Sequence, residues 1–344
     1  MYSNPRILVA GCGAIGSVFG CLLRAAGHEV ALLGRASHLK AIRDSGLRLD
    51  GIWGDHYADG FNLATQISDL SGIYDLVLIS VKSYDTESIA HAVAPFIDDE
   101  GLVASLQNGL GNIETLAKIF GPERSLGANV LVGAKIPAAG RATVTVQAAP
   151  VIIGPLELSD CVMMERIHCW IRAFKQANIP CAATVQILSY LWAKVFYNAP
   201  LNALGALLQV PYGVLGDEPE LRRIMDRIID EAFLVAENKG VENLWNTADE
   251  YRAFFYSHLV PSTYNHQSSM LQDLQRGRPT EIDAINGRIW HYGRELGIPT
   301  PFNEIMTRLI WQRDRRFQTA EEQPEGFQPN DVRELARLPN LCRP

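Results

Sequence analysis

The chain has 344 residues, about twice the length of an average domain, so two domains are expected. Its residues are 47% hydrophobic and 20% charged, a balance that excludes a disordered or collagen-like chain. The formal net charge is −7, from 31 basic and 38 acidic side chains. A nucleic-acid binder carries a basic excess, so no nucleic-acid partner is expected, and any bound anion must be held by a local arrangement.

Residues 6–10 form a short apolar run, followed by a glycine-rich turn and a helical segment reaching 26. A second β-run covers 29–33, a helix 37–44, and a small hairpin or meander 47–57. The continuous apolar runs 76–81 and 102–106 have the character of strands buried on both faces of a parallel sheet. Helices are expected at 86–96 and 113–119. The alternation of β and α elements predicts an α/β fold, a Rossmann-type doubly wound sheet.

Beyond residue 125 the pattern changes. Residues 127–133 and 142–153 suit antiparallel strands, then a helix at 160–176 and a strand at 180–184 close the first domain. From 187 onward only helices are expected, at 188–208, 217–238, 247–257, 265–275, 281–296 and 303–317. The expected organisation is therefore a sheet domain over 1–187, an all-helical domain over 188–325, and a polar C-terminal tail over 326–344.

Six cysteines (Cys12, Cys21, Cys161, Cys169, Cys181 and Cys342) are scattered without a CxxC pair, and eight histidines are equally dispersed. Such spacing points to reduced thiols and to no metal site. The apolar stretch 6–26 carries glycines at 11, 13, 16 and 20, and the stretch 186–210 is interrupted by Lys194, Asn198, Pro200 and Asn202. Neither suits a membrane span. A soluble, cytoplasmic protein is expected.

The sharpest motif is Gly11-Cys12-Gly13-Ala14-Ile15-Gly16, set between a strand and a helix inside a compact βαβ unit. In that context the first glycine permits a tight turn, the second lets the backbone approach a pyrophosphate, and the third lets helix and strand pack closely. The helix N-terminus then offers N–H groups to the phosphates. An NAD enzyme places an acid at the end of the second strand. Here the chain reads Leu33-Gly34-Arg35, and the Arg35 guanidinium can pair with a 2′-phosphate. Lys82, after the run 76–81, is a second cation for the same crevice. These features favour NADP.

Gln107-Asn108-Gly109 after the run 102–106 is a turn former, or places the Asn108 amide at a nicotinamide pocket. On the helix 188–208, Lys194, Asn198 and Asn202 recur at i, i+4 and i+8 and form one polar stripe. The lysine on such a stripe is a candidate general acid. Pro200 interrupts the same helix and is expected to bend it. A second polar cluster comprises Ser268, Ser269, Gln272 and Asp273, with Thr280, Glu281 and Asp283 beyond. Thr280 and Asp283 fit a capping box.

Taken in order, the G-x-G-A-x-G start, the Q-N-G-x-G run, the W-x-K-x-x-x-N-x-x-x-N helix, and S-S-M-L-Q-D followed by T-E-I-D-x-I-N-G resemble the ketopantoate reductase (2-dehydropantoate 2-reductase) family over about residues 6–320. The resemblance implies NADPH-dependent reduction of 2-dehydropantoate to pantoate, a step of pantothenate biosynthesis. It implies Lys194 as the general acid and Glu281 near the reacting centre. Asn108, Asn198, Asn202 and Ser269 would hold substrate and nicotinamide, and Arg35 and Lys82 the 2′-phosphate. Two positions depart from the family pattern, Tyr212 and His266, where asparagines are common. A sister reductase acting on another 2-oxo acid or an imine, as in opine-type dehydrogenases, and a non-catalytic NADPH sensor remain alternatives. A homodimer is left open.

Overall fold

The computed structural model describes residues 5–157 and 161–314. The expected tail 326–344, Cys342 and the last residues of the expected helix 303–317 lie outside the described residues. The chain gathers into two compact units: Met1–Asn198 with Phe233–Tyr251, and Ala199–Ala232 with Arg252–Pro344.

In chain order the first unit contains β1 (Arg6–Ala10), α1 (Ala14–Ala25), β2 (Glu29–Leu33), α2 (Ala36–Ser45), β3 (Leu47–Gly51), β4 (His56–Ala58), β5 (Asn62–Ala64), β6 (Tyr74–Ile79), α3 (Thr86–Val93), β7 (Ile97–Ser105) and α4 (Asn112–Phe120). Then come β8 (Ser125–Asn129), β9 (Val132–Ala138), β10 (Arg141–Gln147), β11 (Val151–Pro155), α5 (Cys161–Gln176), β12 (Cys181–Ala183) and α6 (Ile187–Leu208), whose last residues enter the second unit. Eight strands form one sheet in the order β12-β11-β8-β7-β6-β1-β2-β5. Its neighbours run parallel except β8 and β11.

The apolar runs are continuous because alternate side chains enter different cores. Ile7 and Val9 of β1, Val30 and Leu32 of β2, and Leu76 and Leu78 of β6 join Phe19 and Leu22 of α1 and Trp170 and Phe174 of α5. Leu8, Ala10, Ala31, Leu33, Val77 and Ile79 join Val93 of α3 and Leu116 of α4 on the other face. Phe19 and Phe174 meet edge to face, their centroids 6.0 Å apart.

A second sheet, β4-β3-β10-β9, covers α1, with Leu47, Leu49, Ala142 and Val144 in the same core as Val18 and Phe19. The expected hairpin over 47–57 is the antiparallel pair β3–β4. The antiparallel strands expected near 127–153 are the pairs β9–β10 and β8–β11. The parallel pairing of β3 with β10 has no counterpart in the sequence reading.

The second unit is built from helices. After α6 come α7 (Tyr212–Asp217), α8 (Pro219–Asn238), α9 (Ala248–Phe254), a π-turn Phe255–Leu259, α10 (Val260–Ser262), α11 (Ser269–Gln275), α12 (Asn286–Leu296) and α13 (Pro301–Arg313), of which Phe233–Asn238 of α8 and Ala248–Tyr251 of α9 belong to the first unit. Among the described residues no strand follows Ala183, and no helix is long and apolar enough to cross a membrane. Helix α6 continues through Pro200. Next to that proline, Asn286 Nδ2 donates to Ala199 O and to Asn303 Oδ1, each at 3.1 Å. Asn303 Nδ2 in turn donates to Glu231 at 2.7 Å.

The expected capping box does not form. The Thr280 N–H and hydroxyl donate to Asp314 Oδ2 at 2.6 and 2.9 Å, while Asp283 accepts from Trp311 Nε1 at 2.8 Å. An acceptor from α13's C-terminal end thus satisfies groups that a local cap would otherwise serve.

Glu231 accepts the Phe302 and Asn303 N–H groups in the first turn of α13 at 2.8 and 2.9 Å. Burial outweighs these donors and pushes its carboxyl up from 4.5 to about 7. A raised carboxyl favours the folded state while protonated. That contribution is full below pH 4.5 and is lost as pH rises through about 7. Urea titrations from pH 4.5 to 8.5 should show wild-type stability falling relative to Glu231→Gln across that window; a relative rise would contradict the assignment.

Candidate active site

Apart from Lys194 and Asn198 on α6, the chemistry-bearing residues expected in the first unit follow the carboxyl ends of parallel strands. Such ends, where strand order reverses, are where open α/β sheets bind ligands. Strand β1 sits between β2 and β6, and the chain leaves it through the glycine turn. Gly11 has φ +110, and a Cβ there would lie 2.5 Å from Val81 N and 2.7 Å from Ser80 C. A Cβ on Gly16 would collide with Gly11 O and Ser80 Oγ. Around Gly13 nothing lies within 4 Å of a built Cβ. The third glycine of the motif is thus a packing glycine and the second faces open space.

The turn is pinned from behind. Gly11 and Cys12 N–H donate to Leu33 O at 3.0 and 2.8 Å, and Ser80 Oγ donates to Gly11 O at 2.7 Å. The first helical bond of α1 is Ser17 N–H to Gly13 O. The N–H groups of Ala14, Ile15 and Gly16 precede it, so they are donors available to an anion at the positive end of the helix dipole.

Arg35 follows β2 as the residue before α2. It is exposed and makes no ion pair among the described residues. Lys82 follows β6 and is half-buried. Asn108 follows β7, also half-buried, and its carbonyl accepts from Asn112 Nδ2 at 2.9 Å. Lys194, from α6, donates through Nζ to Val130 O at 2.7 Å. Val130 is the residue after β8, the neighbour of β7. The ends of β2, β1, β6, β7 and β8 therefore present, in spatial order, Arg35, the glycine turn, Lys82, Asn108 and the Lys194 amine. Asn198 lies one helical turn beyond Lys194 and is half-buried.

The remaining expected residues belong to the second unit. Asn202 is buried, and its Oδ1 accepts from the Tyr212 hydroxyl at 2.5 Å. Tyr212 also stands against the His266 ring, centroids 5.1 Å apart, and its N–H donates to His266 O at 3.1 Å. The two departures from the family pattern thus touch each other, and one of them holds Asn202. Ser269 opens α11 and is exposed, whereas Ser268 is buried and caps that helix, accepting Leu271 N–H at 3.0 Å. Glu281 is buried, 7% exposed, at the start of the short 3₁₀ turn Ile282–Ala284.

Sequence reasoning missed a buried network that ties two of these loops together. Gln107 Nε2 donates to Val81 O at 3.0 Å and to Thr86 Oγ1 at 2.8 Å. The Thr86 hydroxyl in turn reaches Ser83 O and Asn112 Oδ1, at 2.7 and 2.9 Å. The loop carrying Lys82 and the loop carrying Asn108 are thereby cross-linked. A glutamine ending an apolar strand run was the available signal, because a polar group there must find partners.

The fold and this edge define a Rossmann-type oxidoreductase that takes a nicotinamide cofactor. The family model described as "Ketopantoate reductase PanE/ApbA" matches residues 7–157, and its C-terminal counterpart matches 186–314. The chain is 37% identical over 305 residues to a 2-dehydropantoate 2-reductase of Aquifex aeolicus, covering 89% of this chain and 96% of the relative. It is 31% identical to the enzyme of that name from Archaeoglobus fulgidus over 310 residues, covering 89% and 96%. A solved PanE/ApbA family ketopantoate reductase from Ralstonia eutropha aligns with TM-score 0.81 at 32% identity, covering 91% of this chain and 99% of that one. A D-mandelate dehydrogenase solved with NADH and anilino(oxo)acetate aligns with TM-score 0.79 at 25% identity, covering 90% and 98%. The chain belongs to the ketopantoate reductase PanE/ApbA family.

The glycine geometry separates packing from ligand access. Gly16→Ala should lower the melting temperature, since overpacking against fixed backbone costs about 1–3 kcal/mol. Gly13→Ala should stay within about 0.5 kcal/mol of the wild type. Equal losses for both variants in thermal melts would contradict the geometry.

Proposed function

We propose that the protein reduces a 2-oxo acid with NADPH, 2-dehydropantoate to pantoate being the first choice. The observation that carries this reading is the Lys194 amine, held at 2.7 Å on Val130 O beside the strand ends that carry Asn108, Lys82 and the glycine turn. On this reading residues 1–187 bind the cofactor and 188–325 serve substrate and catalysis.

The cradle fits a dinucleotide. Open space at Gly13 and three available N–H groups at the start of α1 suit a pyrophosphate. Arg35 and Lys82 supply cations for a 2′-phosphate, with no acid at the end of β2 to favour a 2′-hydroxyl. The bound nicotinamide supplies the hydride that the ketone carbon accepts. Lys194 gives its Nζ proton to the ketone oxygen, and its ammonium stabilises the negative charge that grows there, an interaction stronger in the transition state than in the ground state. The Val130 carbonyl fixes where that proton starts. Asn108, Asn198, Asn202 and Ser269 are assigned to holding substrate and nicotinamide, and Glu281 to the neighbourhood of the reacting centre.

A second reading is a reductase for a different 2-oxo acid. It is favoured by Tyr212 and His266, whose rings stand where the family commonly has asparagines, and by the Tyr212 hydroxyl occupying Asn202 Oδ1.

Reduction of a panel of 2-oxo acids, 2-dehydropantoate included, followed by NADPH and NADH oxidation, tests the proposal. The expected result is turnover of 2-dehydropantoate with NADPH preferred. Lys194→Ala should lower kcat about 10²–10⁴-fold while NADPH affinity changes little. An alanine variant turning over near the wild-type rate would remove Lys194 from the acid role, and turnover of other 2-oxo acids alone would favour the second reading.

A further inference from the structure

A buried relay of hydrogen bonds ends at the glycine turn. Gly140 N–H donates to His38 Nδ1 at 3.1 Å. His38 Nε2 lies 3.0 Å from Ser17 Oγ, and Ser17 Oγ lies 3.4 Å from Cys12 Sγ. Gly140 closes the turn between β9 and β10, His38 stands on α2, Ser17 lies in the first turn of α1, and Cys12 is the second residue of the glycine motif. His38, Ser17 and Cys12 are 8%, 0% and 8% exposed.

The first hydrogen bond sets the direction of the rest. Gly140 brings a proton, so His38 Nδ1 must present a lone pair. A neutral imidazole then carries its single proton on Nε2 and donates it to Ser17 Oγ. The Ser17 hydroxyl proton is left to donate to Cys12 Sγ. Cys12 has little freedom to move away, because a Cβ on Gly34 would stand 2.7 Å from Cys12 Cβ and Cys12 N–H is bound to Leu33 O.

We propose that His38 is a positioning residue of the cofactor site: through Ser17 it fixes the Cys12 side of the glycine turn, and it does so only as the neutral Nε2–H tautomer. The proposal rests on reading that turn as the pyrophosphate site. A second proton would place N–H against N–H at Gly140 and break the bond that orients the ring, although Nε2–H still faces Ser17.

The surroundings suit a neutral ring. Burial lowers the His38 pKa below its ordinary 6.5. Burial likewise raises the Cys12 thiol to about 11, so the far end of the relay keeps its proton. Of the charged side chains on the elements that carry the relay, Lys40, Arg43 and Asp44 on α2, Arg35 just before it, Arg48 on β3, Lys135 on β9 and Arg141 on β10 are exposed, and Asp50 on β3 is half-buried and paired with Arg141.

The test is calorimetric binding of NADP⁺ and NAD⁺ to the full chain between pH 5 and 8. It compares wild type, His38→Ala, His38→Gln and Arg35→Ala, with a thermal melt at each pH. NAD⁺ carries no 2′-phosphate to titrate in this range, so it reports the relay alone. Wild-type NAD⁺ affinity should hold steady above pH 6.5 and decline as pH falls from there toward 5. His38→Ala should bind both nucleotides about tenfold more weakly at pH 8, without a pH step. His38→Gln keeps a donor for Ser17 and cannot titrate; it should lie closer to the wild type and also lack the step. Arg35→Ala should weaken NADP⁺ alone and keep the step. In steady-state kinetics the His38 variants should raise KM for NADPH by a larger factor than they lower kcat.

Wild-type affinity in His38→Ala, or a pH step that survives in His38→Gln, would overturn the proposal. A wild type that binds neither nucleotide would overturn the reading of the glycine turn together with it.

Discussion

The structure depends on one crowded crossing, where three segments of chain meet with no room for a side chain at Gly11 or Gly16. The turn after β1 passes the backbone of Ser80 and Val81 at Gly11 and receives α1 back against Gly11 O at Gly16. Its Cys12 is pressed by Gly34 at the end of β2. The hydrogen bonds from Gly11 and Cys12 to Leu33 O, and from Ser80 to Gly11 O, hold the three together. The N–H groups at the start of α1, ahead of the first helical bond, then lie at the carboxyl edge of the sheet, the proposed phosphate site. A methyl group at Gly11 or Gly16 would push apart the strands on which the rest of the edge is mounted.

From this crossing the remaining groups take their places by strand order alone. With β2 on one side of β1 and β6, β7 and β8 on the other, the residues after each strand form a row from Arg35 to Val130. Two devices keep the row rigid. Gln107, Thr86 and Asn112 lock the Lys82 loop to the Asn108 loop inside the protein. The Val130 carbonyl holds the Lys194 amine. Positioning by buried hydrogen bonds of this kind costs little when a ligand arrives, because the groups are already ordered.

Much of this was legible in the residues because it is local. Residues 7–10 of β1, 30–33 of β2, 76–79 of β6 and 102–104 of β7 are buried on two faces, so they read as unbroken apolar runs; the glycine turn and the missing acid beside Arg35 lie within thirty residues of one another. What escaped is non-local. Strand β3 pairs with β10 about ninety residues later, and short strands carry no mark of their distant partners. The capping box read at Thr280 and Asp283 fails because Asp314, 34 residues further on, is the better-placed acceptor. The i, i+4, i+8 spacing read along α6 is that of Lys194, Asn198 and Asn202. It could not show that Asn202 is buried against Tyr212, since that contact belongs to the folding of α7 beside it.

The carboxyl edge of the eight-stranded sheet is proposed to bind a nicotinamide dinucleotide. Amide hydrogen exchange of the full chain with and without NADP⁺ tests it most directly, because the start of α1 and the loops after β2, β6 and β7 carry backbone amides that would be covered or held still. Ligand-dependent protection concentrated at residues 12–17, 34–37, 81–86 and 107–112 is the expected result. Binding that leaves those four segments unprotected while protecting others would contradict the account.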